Sequence, residues 1–175
     1  MDRKIVLYIA MTLDGYIADH NDQLAFLDPY NENELAKKSY QNLMDRTDVL
    51  LIGRKTFDVV NQMVEIWPYP NHHTYVLTSK SGSNQEKVSF TSEHIKDLIS
   101  NLRMKQGKDI WIVGGGKLVK SLIELELIDE YHITIAPILL GDGIPLFHQV
   151  ENTINLQLIK VEADNQLTML IYHHK

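Results

Sequence analysis

Three short stretches combine glycines, cations and hydroxyls as a phosphate-binding turn requires: Gly114-Gly115-Gly116-Lys117, Gly53-Arg54-Lys55-Thr56 and Thr78-Ser79-Lys80. Each follows an apolar run: Ile110-Trp111-Ile112-Val113, DVLLI at 48–52 and TYVL at 74–77. Glycine has no Cβ, so the chain can turn sharply and let a ligand approach the backbone. Where a helix begins directly afterwards, its first N–H groups lack partners within the helix and favour an anion. Lys117 opens such a segment, with Leu118, Val119, Leu122 and Ile123 at helical spacing. Arg54 is of the type that holds a phosphate monoester through two parallel hydrogen bonds. Neither glycine stretch is specific alone. GGG lacks the spacing of the dinucleotide fingerprint and the Gly-Lys-Ser/Thr of a P-loop. A tight structural turn and a solvated pair of cations are the competing readings of the same residues.

Two carboxylates are candidates for contact with a substrate. Asp14 lies in Thr12-Leu13-Asp14-Gly15, at the end of the first apolar run, and Asp28 follows Phe26-Leu27. Asp14 reads as a polar partner of the substrate, as the anchor of a loop, or as an ordinary Asp-Gly turn former. Asp28-Pro29 is likewise a turn signal. The eight histidines include adjacent pairs at 72–73 and 173–174. None has helical i, i+4 spacing with a carboxylate, so a metal site is not expected and the histidines are read as surface residues. Trp67 and Trp111 are expected in the core or at an interface. With no cysteine in the chain, disulfides, thiolate metal sites and cysteine nucleophiles are excluded.

The elements that position these residues follow from a hydrophobic pattern that alternates strands and helices. Strands are expected over 4–11, 48–52, 74–78, 87–90, 110–113 and 131–136. Helices are expected over 32–46, over 57–62, from a cap at Thr91 or Ser92 to Gly107, and from Lys117 to about Ile128. The Asp- and Asn-rich stretch 19–31 reads as a loop with one apolar anchor, Leu24-Phe26-Leu27, in a place where function is common. Residues 155–162 and 167–172 alternate in polarity around Asp164-Asn165, which predicts a hairpin. Unbroken apolar runs suit strands buried on both faces, so the expected class is α/β with a mostly parallel central sheet and a C-terminal antiparallel hairpin.

The 175 residues suit one domain, and 44% apolar composition supports a real core. Lys and Arg number 17 against 23 Asp and Glu, a net charge of -6, which argues against a broad nucleic-acid surface. No apolar run approaches a membrane span, and the opening MDRKIVLYIAM does not read as a signal peptide, so a cytoplasmic protein is expected.

Taken together and in order, the three junctions resemble the dihydrofolate reductase-like fold, with its three layers. More closely the chain resembles the reductase domain at the C-terminus of the riboflavin-biosynthesis deaminase-reductase RibD, as a short stand-alone member. Four motifs carry the resemblance over nearly the whole chain. They are Leu-Asp-Gly-x-Ile-Ala ending at Ala18, Gly-Arg-x-Thr-Phe ending at Phe57, the glycines after a buried strand, and Pro-x-x-Leu-Gly-x-Gly-x-x-Leu-Phe from Pro137 to Phe147.

The resemblance implies NADPH as cofactor, lying across the strand ends. It implies nicotinamide contacts at Ala10 and Ile17, a phosphate-binding turn at Gly53, Arg54, Lys55 and Thr56, and an adenosine border at Thr78, Ser79 and Lys80. It places Val113, Gly114, Gly115, Gly116, Lys117 and Leu118 along the pyrophosphate. Departures accompany it. Dihydrofolate reductases carry an acid on the first helix, where this chain has Lys37, and the riboflavin-pathway enzymes usually carry acids where this chain has Val113 and Val60.

Two functions are open at this level. One is an NADPH-dependent reductase of a small pyrimidine- or pterin-like heterocycle, resembling 5-amino-6-(5-phosphoribosylamino)uracil reductase. The other is a nucleotide-binding protein on the same scaffold without turnover. A homodimer through 131–150 and the last hairpin is expected from the apolar character of 137–147 and from the resemblance. The competing reading is a loop folded back on its own sheet.

Overall fold

The computed structural model describes residues 3–80 and 82–175. The apolar runs become β1 (Ile5–Thr12), β3 (Thr47–Gly53), β4 (His73–Leu77), β5 (Val88–Thr91), β6 (Asp109–Gly114) and β7 (Glu130–Ala136). The two alternating segments become β9 (Leu156–Ala163) and β10 (Thr168–His174), and two short strands, β2 (Tyr16–Ala18) and β8 (Ile144–Pro145), pair with each other apart from the main sheet. Helices α1 (Glu34–Arg46), α2 (Arg54–Met63), α3 (Ile95–Arg103) and α4 (Gly116–Glu124) connect them.

The main sheet has eight strands in the order β5-β4-β3-β6-β1-β7-β10-β9. The first six in that order run parallel, and β10 and β9 close the sheet antiparallel. The central strands are buried on both faces: Ile5, Val6 and Leu7, Leu50, Leu51 and Ile52, and Ile110 and Ile112 have no exposed surface. One face packs on α3 and α4 through Leu98, Leu102, Val119 and Leu122. On the other, Leu43 of α1 covers Val6, Leu50 and Trp111, while Phe57 of α2 covers Ile52 and Val76. This is the three-layer, mostly parallel α/β architecture with a terminal antiparallel hairpin.

Several boundaries differ from the sequence reading, each for a local reason. Helix α2 begins at Arg54 rather than Phe57, because extended Gly53 serves as its N-cap. Helix α3 is preceded by His94, and Thr91 is instead the last residue of β5, its hydroxyl accepting from the Glu93 N–H at 3.1 Å. Helix α4 stops at Glu124 rather than near Ile128. Glu126 turns left-handed with φ of 52°, and the N–H groups of Glu126 and Leu127 donate back to the carbonyls of Ile123 and Leu122, a Schellman ending. Residues Ala25–Tyr30, read as loop, form a short 3-10 helix. His72, read as a surface residue, is buried, with Nε2 at 3.1 Å from the Thr47 hydroxyl. Burial holds its pKa below the ordinary imidazole value.

Candidate active site

Because β3 and β6 are neighbours, the turns that follow them lie side by side. Gly53 and Gly115 are the N-caps of α2 and α4, both extended and both without a side-chain capping bond. The first N–H groups of two helices therefore remain free to meet an anion. The helix starts also converge. A Cβ on Gly115 would fall 2.6 Å from the Thr56 hydroxyl, and one on Gly53 would fall 3.8 Å from the Gly114 carbonyl oxygen. Gly115 thus makes room for the Thr56 hydroxyl. Gly114 sits at a φ of 129°, which side-chain-bearing residues rarely adopt. His148 packs on the third glycine, its Nε2 2.5 Å from where a Cβ of Gly116 would stand.

A cleft of about 870 Å³ opens over these turns at the carboxyl ends of the parallel strands. That volume lies in the upper part of the range for ligand sites, and strand ends are where open α/β sheets bind ligands. The structure brings together Ala10 and Ile17, residues 53–56 and residues 113–118 along its lining. Val60 and Val113 line it too, as uncharged side chains.

Other expected site residues stand elsewhere. Thr78, Ser79 and Lys80 are outside the lining, to which β4 contributes Leu77; the Thr78 hydroxyl accepts from the Lys80 N–H at 3.1 Å and shapes a local turn. Asp28 is exposed on the 3-10 helix, its carbonyl accepting from the Asn31 N–H. Asp14 anchors a loop. Its carboxylate accepts from the Thr12 hydroxyl and from the N–H groups of Leu140 and Gly141. These bonds, the Thr12 hydroxyl foremost, hold its pKa below the ordinary carboxylate value.

The charges of the cleft are grouped. Arg54 Nε is held by Asp58 at 2.8 Å, and the guanidinium lies 5.2 Å from the centre of the Phe90 ring. Its two Nη groups make no hydrogen bond among the described residues and remain available to a phosphate. Lys55 pairs at 2.8 Å with Asp22, a residue in the loop after β2. That loop is organised by Asp19, whose carboxylate accepts from the N–H groups of Asn21 and Gln23, and Asp22 is left-handed with φ of 62°.

Away from the helix starts the lining turns apolar: Val59, Val60 and Met63 of α2, Leu24 and Leu27, and the ring of Tyr69. Tyr69 is fixed by edge-on contacts to Trp67 and Trp111, each with ring centres 5.3 Å apart. Burial pushes its phenol well above the usual range, so it stays protonated. No side chain of α1 lines the cleft, and Lys37 instead pairs with Glu32 near the exposed start of that helix. Asp22 is the carboxylate of the lining among the described residues.

Asp22, His148, Val59, Met63 and Tyr69 escaped the sequence reading, whereas Leu24 and Leu27 were legible as the apolar anchor of a loop suited to function. The 55-59-63 and 56-60 spacings on α2 were a usable signal, since they share one helical face. Asp22 and His148 gave none, because loop folding places them. Among the described residues, no group of three metal-ligating side chains is positioned to hold a metal, and no helix is long and apolar enough to cross a membrane.

A three-layer α/β domain with two uncapped helix starts at adjacent strand ends has the dihydrofolate reductase-like fold. Within that class, the chain belongs to the RibD C-terminal domain family, whose profile matches residues 3–170. It is 36% identical over 173 residues to the uncharacterized Bacillus subtilis protein YwjB, covering 98% of each chain. Among solved structures it superposes on a Shewanella sp. PV-4 protein provisionally named for riboflavin biosynthesis, with a TM-score of 0.89, 34% identity, and coverage of 100% of this chain and 99% of that one. Dihydrofolate reductase from Enterococcus faecalis, solved with NADP(H), shares the fold at a TM-score of 0.68 and 19% identity, covering 98% of this chain and 96% of its own.

Proposed function

We propose that the chain is an NADPH-dependent reductase of a small pyrimidine- or pterin-like heterocycle. The observation that carries this reading is the convergence of two uncapped helix starts, with Arg54, Lys55 and Lys117 beside them, at one end of a cleft that becomes apolar at the other. A dinucleotide needs both: donors and cations for its phosphates, and an apolar wall for its ring. The residues fit it in order. The α2 start and Arg54 take the extra phosphate of NADPH, the α4 start takes the pyrophosphate, and Ala10 and Ile17 flank the nicotinamide. Thr56 is positioned to donate to the same phosphates. When bound, the cofactor supplies a hydride; the protein orients the two rings and excludes bulk water. No α1 carboxylate lines the cleft to supply the accompanying proton.

The test is NADPH oxidation in the presence of a panel of pteridines and aminouracils. Turnover with at least one supports the reading, and none with any member contradicts it. The second reading, a nucleotide-binding protein without turnover, is favoured by one observation: Asp22, the cleft carboxylate, is engaged by Lys55. Cofactor binding without oxidation across the panel would establish it.

We also propose a homodimer, in the cytoplasm where NADPH is held. Leu158 and Val161 of edge strand β9 stand more than half exposed, at 51% and 53%, and Leu139 is 73% exposed. Both β9 residues pair with Tyr172 and Leu170 of β10 on the sheet face that α3 and α4 cover elsewhere. An apolar edge of this kind suits a second copy of the same chain.

A further inference from the structure

We propose that the hydride acceptor is an uncharged, unphosphorylated planar ring, held in the apolar half of the cleft between α2 and the segment after β2. This rests on the cofactor reading above and narrows the substrate class within it. The side chains that could meet a phosphate are Arg54, Lys55, Lys117 and His148. Each belongs to the first turn of α2 or α4, or packs on it. Bound cofactor phosphates occupy that end. Along α2 the cleft-facing positions then run from Thr56 to Val59, Val60 and Met63. At about 1.5 Å of rise per residue, Met63 stands roughly 10 Å beyond Thr56. Leu24 and Leu27 supply further apolar wall, and no cation lines this half among the described residues.

Tyr69 lends its ring to this half, fixed edge-on against two tryptophans, while its protonated hydroxyl is engaged with Tyr40. Asp22 stands at the boundary and adds negative charge. A phosphate attached to the acceptor would find no cation along Val59, Val60, Met63, Leu24 and Leu27 and would meet the like charge of Asp22, so it gains nothing that pairs it. A flat, neutral ring gains instead from apolar burial and from stacking beside fixed aromatic and aliphatic surfaces.

The experiment is calorimetric titration of the full chain, first with NADP⁺ and then, with NADP⁺ saturating, with matched ligand pairs. The pairs are dihydroneopterin and its monophosphate, and ribosylaminouracil and its phosphate. The unphosphorylated member of at least one pair is expected to bind about tenfold or more tightly than its partner, a difference of the size an unpaired phosphate imposes. Met63→Lys, at an exposed position, should shift that ratio toward the phosphorylated member. Equal or tighter binding of the phosphorylated members overturns the proposal. So does the failure of both unphosphorylated members to bind to protein already shown to hold NADP⁺. Absence of NADP⁺ binding in the first titration overturns the cofactor reading, and the proposal with it, and is recognised before any acceptor is added.

Discussion

Under the proposed cofactor reading, Arg54 is the residue on which discrimination between the two nicotinamide cofactors turns. Its Nε is satisfied by Asp58 and its guanidinium lies over the Phe90 ring, so part of its freedom is already lost before the Nη groups engage a phosphate. A charge-assisted contact of this kind is worth about 1.5–3 kcal/mol, roughly ten- to a hundredfold in affinity. Arg54→Ala should therefore abolish most of the preference for NADPH over NADH, measured by paired titrations. Asp22 acts in the opposite sense. It neutralises Lys55 and brings a negative charge to a cleft that, in the proposed reading, accepts a polyanion, so Asp22→Asn should tighten NADPH binding by about twofold to fivefold at low salt, an effect that fades as salt rises. An unchanged or weaker affinity would show that the Asp22–Lys55 pair organises the site rather than competing for it. Gly115 carries a caution from the same geometry. Its missing Cβ accommodates Thr56, so a Gly115→Val variant would disturb the two helix starts even without cofactor.

At the level of elements, the end of the sheet opposite the cleft is fastened by ions. Glu130 at the start of β7 is almost fully buried and accepts from Lys4 at 2.6 Å and Arg46 at 2.8 Å, with His132 at 3.0 Å. Arg46 also reaches Asp109 at the start of β6. These partners, His132 foremost, hold the Glu130 carboxyl far below its ordinary range. A depressed carboxyl pKa contributes stability that is present above the unfolded value, near 4.3, and is lost as pH falls toward the folded one. Glu130→Gln should cost about 2 kcal/mol at neutral pH in urea unfolding, and the gap between the two proteins should narrow as pH drops below about 4. His72 adds a second, milder acid sensitivity. Its pKa is depressed, so stability falls as pH drops below the unfolded value near 6.5. These clusters were not visible in the chain, because they join residues far apart in sequence. What was legible were continuous apolar runs such as DVLLI and IWIV, whose β-branched and aromatic residues suit a strand covered on both faces, and the glycines that end them. Strands β2 and β8 were not legible. With three and two residues they are too short to show a period, and they exist because the loop anchored by Asp14 lies against the chain after β1. Asp22 escaped for a related reason: a left-handed loop residue has no sequence pattern of its own.

For the whole molecule, the exposed apolar surface of β9 and the polar-to-apolar gradient of the cleft are the two features that reach beyond the chain. The first predicts association. Sedimentation equilibrium at micromolar concentration should give twice the chain mass, and the double change Leu158→Asp, Val161→Asp should return the mass of one chain without unfolding it, since both side chains are exposed. A single-chain mass for the unaltered protein would remove the dimer. The gradient carries the proposed reading of a cofactor-dependent reductase, because fold alone does not carry function. Its most direct test is calorimetric titration of the unaltered protein with NADPH and with NADH. The expected result is one NADPH per chain, held at least about tenfold more tightly than NADH. No binding of NADPH, or equal affinities for the two, would contradict it.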